Sequence, residues 1–180
     1  TNSSNIKVQK RDGRLENLDI NKIHFVVEEA CEGLPGVSAS QIEMNANIQF
    51  YDGMSTKDIQ NVLVRSANDL ISLESPNYQY AAARLLSYDV RKEAHGQYEY
   101  IPLLKLVLRN IRLGVYDKGI VDKYSTSDIK RFNTWIKRDR DLNFTYAGLR
   151  QIVDKYLVQD RSTGQLYETP QDMYLSLIHI

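Results

Sequence analysis

Hydrophobic side chains recur along this chain with two different periods, and the periods separate short strands from longer helices. Ile6 and Val8 alternate with Lys7 and Gln9, the period of two expected of a strand with one buried face. Asp12-Gly13 is the favoured pair for a two-residue hairpin turn, and RLENL, residues 14–18, predicts the returning strand. The period then lengthens. Ile23, Val26, Val27 and Ala30 follow the i, i+3, i+4, i+7 rule of a core-facing helical stripe, which Gly33, Pro35 and Gly36 bring to an end.

Capping signals predict the further helices. SASQ from Ser38 is a capping box; STKD from Ser55 and STSD from Ser125 have the same form with aspartate at the third helical position. SPN at Ser75 and TPQD at Thr169 put proline in a first turn, where its missing N–H removes nothing. The Ser55 helix should bury Ile59, Val62, Leu63, Ser66 and Leu70, and the Ser75 helix Tyr78, Ala81, Ala82, Leu85 and Leu86. Beyond Gly96 an amphipathic segment carries Leu103, Leu106, Val107, Leu108 and Ile111. A helix near residues 126–137 and another near 146–156 follow, and then YLVQDRSTGQLYE predicts a second hairpin turning at Gly164. The fold class is mainly α with small β-hairpins, an α+β arrangement, with a domain boundary at Gly96-Gln97.

Composition narrows the functional classes. With 23 basic and 23 acidic residues the chain has no net charge, so it lacks the broad basic field of a nucleic-acid or membrane-surface binder. No stretch reaches the roughly 20 apolar residues of a bilayer span, and TNSSNIKVQK has no signal-peptide core. Cys31 is the single cysteine, which excludes an internal disulfide and a cysteine-built zinc site and points to the cytoplasm. The closing MYLSLIHI is an apolar run without a cap, the pattern of a piece of a longer protein.

One cluster suggests chemistry. Lys10, Arg11 and Arg14 flank the Asp-Gly turn, and Lys22 opens the next helix; turn amides, helix dipole and side chains together suit an anion. The plain alternative is a solvated, charged turn, and no Walker-type glycine loop is present. Glu28, Glu29 and Glu32 read as a solvated helix face; His24, His95 and His179 are too scattered for a metal site. Cys31 reads as a small core residue, and the twelve tyrosines as core and interface.

Several ordered motifs go further. VQKRDGRLENLDINKIH, QFYDGMSTKDIQ and SPNYQYAAARLLSYDVRKEAHGQYE resemble the ATP-cone of ribonucleotide reductase large subunits. GVYDKGIVDKYS, DRDLNFTYAGLRQ and KYLVQDRSTGQLYETPQDMY resemble the region after the cone in class I enzymes. The resemblance implies an ATP-cone over residues 1–96 and, over 97–180, a helical region leading toward an α/β barrel outside this chain. In that family a thiyl radical and a cysteine pair on the barrel reduce ribonucleoside diphosphates. Cys31 matches none of the catalytic cysteine motifs, so the segment itself would be catalytically inert. It implies an allosteric role, with ATP favouring activity and dATP suppressing it through subunit assembly. The implied partners are the rest of the large subunit and the radical-generating small subunit, without nucleic acid or membrane.

Carried over by position, the resemblance gives Lys10 and Arg11 to the phosphates. Glu16, Asn17, Leu18, Asp19, Ile20, Asn21 and Lys22 would wall the adenine and sugar, Thr56 would offer hydroxyl and amide to a phosphate, and Lys92 would close the site. The effector is ATP or dATP, with or without a magnesium ion, and no metal is held by protein ligands. Histidine is common in inhibitable members where this chain has Gln60 and Asp89, and asparagine where it has Asp19. Asp89 stands i, i+3 from Lys92, where it can pair with the lysine and repel phosphate. The expectation is weak ATP binding and a poor dATP response. Two other readings are a reductase-gene repressor, which needs a cysteine-rich zinc ribbon, and a degenerate cone acting only as a structural subunit-contact module.

Overall fold

A computed structural model describes residues 6–177; Ile178, His179 and Ile180 of the apolar ending, and the first five residues, lie outside the described part. In chain order the elements are β1 (Lys7–Gln9), β2 (Leu15–Asn17), α1 (Ile20–Cys31), α2 (Ala39–Asn47), β3 (Met54–Ser55), α3 (Thr56–Asn68), α4 (Tyr78–His95), α5 (Leu103–Arg112), α6 (Gly119–Lys123), α7 (Thr126–Asn133), a 3-10 helix (Arg138–Asn143), α8 (Tyr146–Lys155) and α9 (Pro170–Leu177). The chain is therefore mainly helical with one small sheet. Backbone contacts divide it into two units, one running to Leu86 together with Thr145–Ala147, the other holding Ser87–Phe144 and Gly148 onward.

In the first unit β1 is the middle strand of a sheet ordered β2-β1-β3. Val8 is buried while Lys7 and Gln9 are exposed, as the alternation requires. The hairpin turn differs from a two-residue Asp-Gly turn. Lys10 N donates to Arg14 O at 2.8 Å and Gly13 N to Lys10 O at 2.9 Å, so Arg11, Asp12 and Gly13 form a three-residue loop. This solution puts only Gly13 at positive φ (85°), and Asp12 avoids the left-handed region that a type I′ turn would impose. A Cβ at Gly13 would meet nothing within 4 Å, so backbone conformation alone resists substitution. Gly13→Ala should lower stability by about 1 kcal/mol, read from the shift in the chain's thermal midpoint.

The helices of this unit bury the stripes read from the sequence: Ile23, Val27 and Ala30 of α1, Ile42 and Ala46 of α2, and Ile59, Val62, Leu63 and Ser66 of α3 are buried. Leu70 falls beyond the end of α3 and is only partly buried. The Ser38 capping box is relayed rather than direct. Ser38 Oγ accepts from Gln41 N at 3.4 Å, but Ser38 N donates to the Tyr78 hydroxyl, which donates to Gln41 Oε1 at 2.8 Å. A tyrosine distant in sequence thus completes a local motif. The helix expected from Ser75 begins at Tyr78, after a turn at Pro76-Asn77.

The second unit has its own core, in which Leu103, Leu106 and Val107 of α5 meet Ile129 and Phe132 of α7. Ser125 makes a complete capping box with Asp128, as its motif requires, but α7 stops at Asn133, short of Lys137. The second hairpin is reduced to a single bridge between Gln159 and Leu166, closed by Asp160 N donating to Gln165 O at 2.9 Å and Tyr167 N donating to Val158 O at 3.0 Å, while the outward-facing Leu166 amide donates to Glu93 at 3.0 Å.

Buried polar groups hold this unit together. Asp172 accepts from Thr169 N and Oγ1 at 3.0 and 2.7 Å and from Arg138 Nη1 at 2.9 Å, and it lies 3.1 Å from His95 Nε2. Because Ile101 N donates to His95 Nδ1, Nε2 carries the hydrogen that faces Asp172. Glu168, fully buried, accepts from the Tyr116 hydroxyl and from Val158 N. The Arg91 guanidinium lies 5.2, 4.2 and 4.9 Å from the ring centres of Tyr88, Tyr98 and Tyr100, so π faces surround much of its charge.

Candidate functional site

The basic turn gains its structural context from β3, a strand the hydrophobic pattern does not announce because it is two residues long. β3 runs parallel to β1, with Val8 opposite Met54 and Gln9 opposite Ser55. Lys7 holds it in register: Lys7 O accepts from Gly53 N at 2.8 Å, and Lys7 N donates to Asp52 Oδ1 at 2.7 Å. Gly53 makes this possible at φ 84°. Where β1 ends at Gln9, β3 ends at Ser55, so Lys10 and Arg11 leave the sheet at the edge where α3 begins with Thr56. Ser55 caps that helix, accepting from Asp58 N at 3.0 Å.

The helix N-terminus beside the hairpin tip is therefore that of α3, not that of α1. Asn17 pairs with Lys7 and Leu18 N donates to Ile6 O, so α1 starts at the other end of β1, about 10 Å away over a three-residue strand. Asp19 is its N-cap, accepting from Asn21 N and Lys22 N at 3.1 and 3.3 Å, a local role that the sequence shows only as Asp before an apolar stripe. The segment Glu16 to Lys22 thus lines one side of the sheet, with Asn17, Asp19, Ile20, Asn21 and Lys22 exposed and Leu18 half-buried.

The charges here are already matched. Lys10 Nζ lies 3.2 Å from Glu16, Arg14 lies 2.7 Å from Asp12 and 3.8 Å from Glu16, and Lys22 lies 3.7 Å from Asp19. The hydrogen bond from Arg14 holds the Asp12 carboxyl below its usual range. A polyphosphate entering this region would exchange carboxylates for phosphate oxygens rather than meet bare cations.

On α3, Gln60 stands one turn after Thr56, and its Nε2 donates to Leu85 O of α4 at 2.8 Å. Leu85, Asp89 and Lys92 follow i, i+4, i+7 along α4; Asp89 and Lys92 belong to the second unit, Asp89 half-buried and Lys92 exposed. Lys10, Arg11, Glu16 to Lys22, Thr56 and Gln60 all belong to the first unit. Among the described residues no group of three or more His, Cys, Asp or Glu is arranged to hold a metal, and no helix is long and apolar enough to cross a membrane. Burial pushes the Cys31 thiol up to about 11, far from a reactive thiolate.

A family model described as the ATP cone domain matches residues 6–93, the span from β1 almost to the end of α4. Beyond it, similarity continues along nearly the whole chain. Ribonucleoside-diphosphate reductase 1 subunit alpha of Escherichia coli is 44% identical over 173 residues, covering 96% of this chain and 23% of the relative. The reductase alpha subunits of Haemophilus influenzae and of Enterobacteria phage T4 are 42% and 40% identical, again over 96% of this chain and 23% of each relative. The chain is an ATP-cone-bearing relative of the ribonucleoside-diphosphate reductase alpha subunits. It spans about a quarter of the length of these curated relatives. The cone's first strand, its hairpin and the start of α3 are the elements that gather Lys10, Arg11 and Thr56.

Proposed function

We propose that the cone binds ATP or dATP as the allosteric effector of a ribonucleoside-diphosphate reductase, an enzyme of deoxyribonucleotide synthesis. The observation that carries this reading is the parallel β1–β3 pairing, which brings Lys10 and Arg11 to the edge where α3 presents its amides and Thr56. Unpaired amides, helix dipole and two cations suit the triphosphate. Asn17 to Lys22, toward the other end of β1, suit the base and sugar, with Glu16 between them. Asp89 and Lys92 enter by family resemblance. The effector domain is taken as residues 1–96, because α4 runs unbroken to His95. Residues 97–180 would lead into the catalytic part of the large subunit, with the small subunit as partner and the cytoplasm as compartment. Any magnesium ion would ride on the nucleotide phosphates.

Binding should be weak. Lys10, Arg14 and Lys22 each already have carboxylate partners, and Asp89 adds negative charge beside Lys92. The same pairing favours a second reading, a degenerate cone that serves only as a subunit contact.

A thermal-shift series with ATP, dATP and GTP separates the two. A ligand bound only to folded protein adds RT ln(1 + [L]/Kd), about 0.4 kcal/mol at a concentration equal to Kd. A small shift with ATP, no larger with dATP and absent in Lys10→Ala, is the expected outcome. Asp89→His should enlarge it. No shift at millimolar nucleotide in either the parent chain or Asp89→His would leave only the structural reading.

A further inference from the structure

Two helix faces that the effector reading does not use carry opposite charge at the same spacing. On α1 and its C-cap residue, Phe25, Glu28, Glu29 and Glu32 fall at i, i+3, i+4 and i+7 along one side, with Glu28 lying 3.3 Å from His24. Phe25 is 65% exposed, and the four residues border an open groove of about 600 Å3. On α5, Lys105, Leu108, Arg109 and Arg112 occupy the same four relative positions, and Lys130 of α7 stands on the other wall of a groove of about 690 Å3. No acidic side chain lines that second groove, and among the described residues none forms an ion pair with Lys105, Arg112 or Lys130. Leu108, which the sequence pattern assigns to the core stripe, is instead 44% exposed between these cations. Arg109 holds its charge in place by donating to Ala94 O at 2.6 Å and Tyr167 O at 3.3 Å.

A chain with no net charge thus segregates an acidic aromatic face in one unit and a basic leucine face in the other. We propose that the two faces bind each other between copies, with α1 of one chain seated in the α5/α7 groove of the next. Phe25 would meet Leu108, and the glutamates would meet Lys105, Arg109, Arg112 and Lys130. This is the helix-in-groove mode, with anchors at i, i+3, i+4 and i+7. The occupant is a second copy because α1 itself supplies the complementary charge at the matching period. The contact is heterologous and therefore runs head to tail. Two short helix faces fall below the roughly 800 Å2 per partner of a stable interface, so association is weak and driven by charge. It requires no nucleotide and none of the residues assigned to phosphate, so it stands or falls apart from the effector reading.

Sedimentation velocity of the 180-residue chain without nucleotide tests it. At about 0.01 M salt, where the Debye length is about 30 Å, the sedimentation coefficient should rise with concentration; at about 1 M, where it is about 3 Å, the chain should sediment as a single copy. Arg112→Glu and Glu32→Lys, both at exposed positions, should each weaken association by about tenfold or more, and the double variant Arg112→Glu/Glu32→Lys should restore it by pairing the reversed faces. A chain that stays single at every concentration in low salt overturns the proposal. Association that survives Arg112→Glu unchanged also overturns it, by assigning self-contact to a different surface.

Discussion

Asp172→Ala should cost the second unit about 3–5 kcal/mol, because it leaves a buried imidazole and a partly buried guanidinium without their acceptor. The His95 and Asp172 side chains have no exposed surface, and Asp172 takes four polar contacts at once, two of them from the cap of α9. The chain's single tryptophan, Trp135, lies in this unit, so its fluorescence during urea unfolding reports the loss directly. A loss under about 1 kcal/mol would mean that water replaces the carboxylate without penalty. Burial pushes the Asp172 carboxyl up, but the His95 hydrogen bond, the Arg138 charge and Thr169 outweigh it and hold the group down at about 2. The stability it supplies is therefore complete above the ordinary carboxylate range and is lost as the pH falls toward 2.

Asp141→Asn should act in the opposite direction and in a different pH window. Asp141 is 1% exposed, and neither carboxylate oxygen has a hydrogen-bond partner among the described residues. Burial pushes its carboxyl up to about 7, against the partial help of Arg138, the nearby Gln171 amide and Arg91 and with Asp172 pushing the same way. Between about pH 4 and 7 the folded chain holds a proton that the unfolded chain has released, so stability falls as the pH rises through that range. The asparagine variant has no such proton to lose. It should match the parent chain within about 1 kcal/mol near pH 5 and exceed it by on the order of 2–4 kcal/mol near pH 8, following about 1.4 kcal/mol per pH unit. Thermal midpoints at the two pH values decide the matter, and an equal difference at both would show that Asp141 does not titrate in the folded chain.

Local chemistry, read from the sequence alone, determined most of the helices. The stripe of Ile23, Val27 and Ala30, the serine caps at Ser38, Ser55 and Ser125, and Pro170 at a first turn each depend on neighbours within about one helical turn, and all appear in the fold. The first hairpin was legible as a pairing but not in its loop, which has three residues rather than the two expected, with Gly13 alone taking positive φ. The cone itself was legible too: its motifs run in order from Lys10 to Lys92 and its family match covers residues 6–93.

Tertiary structure decided what depends on residues far apart. β3 is too short to carry a period and exists because β1 supplies its partners, yet it sets α3 rather than α1 beside the basic turn. The Ser38 box closes only through Tyr78, and the carboxylate partners of Lys10, Arg14 and Lys22 emerge only once the hairpin and α1 have formed. Asp141 and Asp172 look alike in the sequence. One is held ionised and the other pushed toward neutrality because packing gives Asp172 four close polar contacts and leaves Asp141 with only the partial help of Arg138, Gln171 and Arg91, a difference in desolvation and hydrogen bonding that no local pattern encodes.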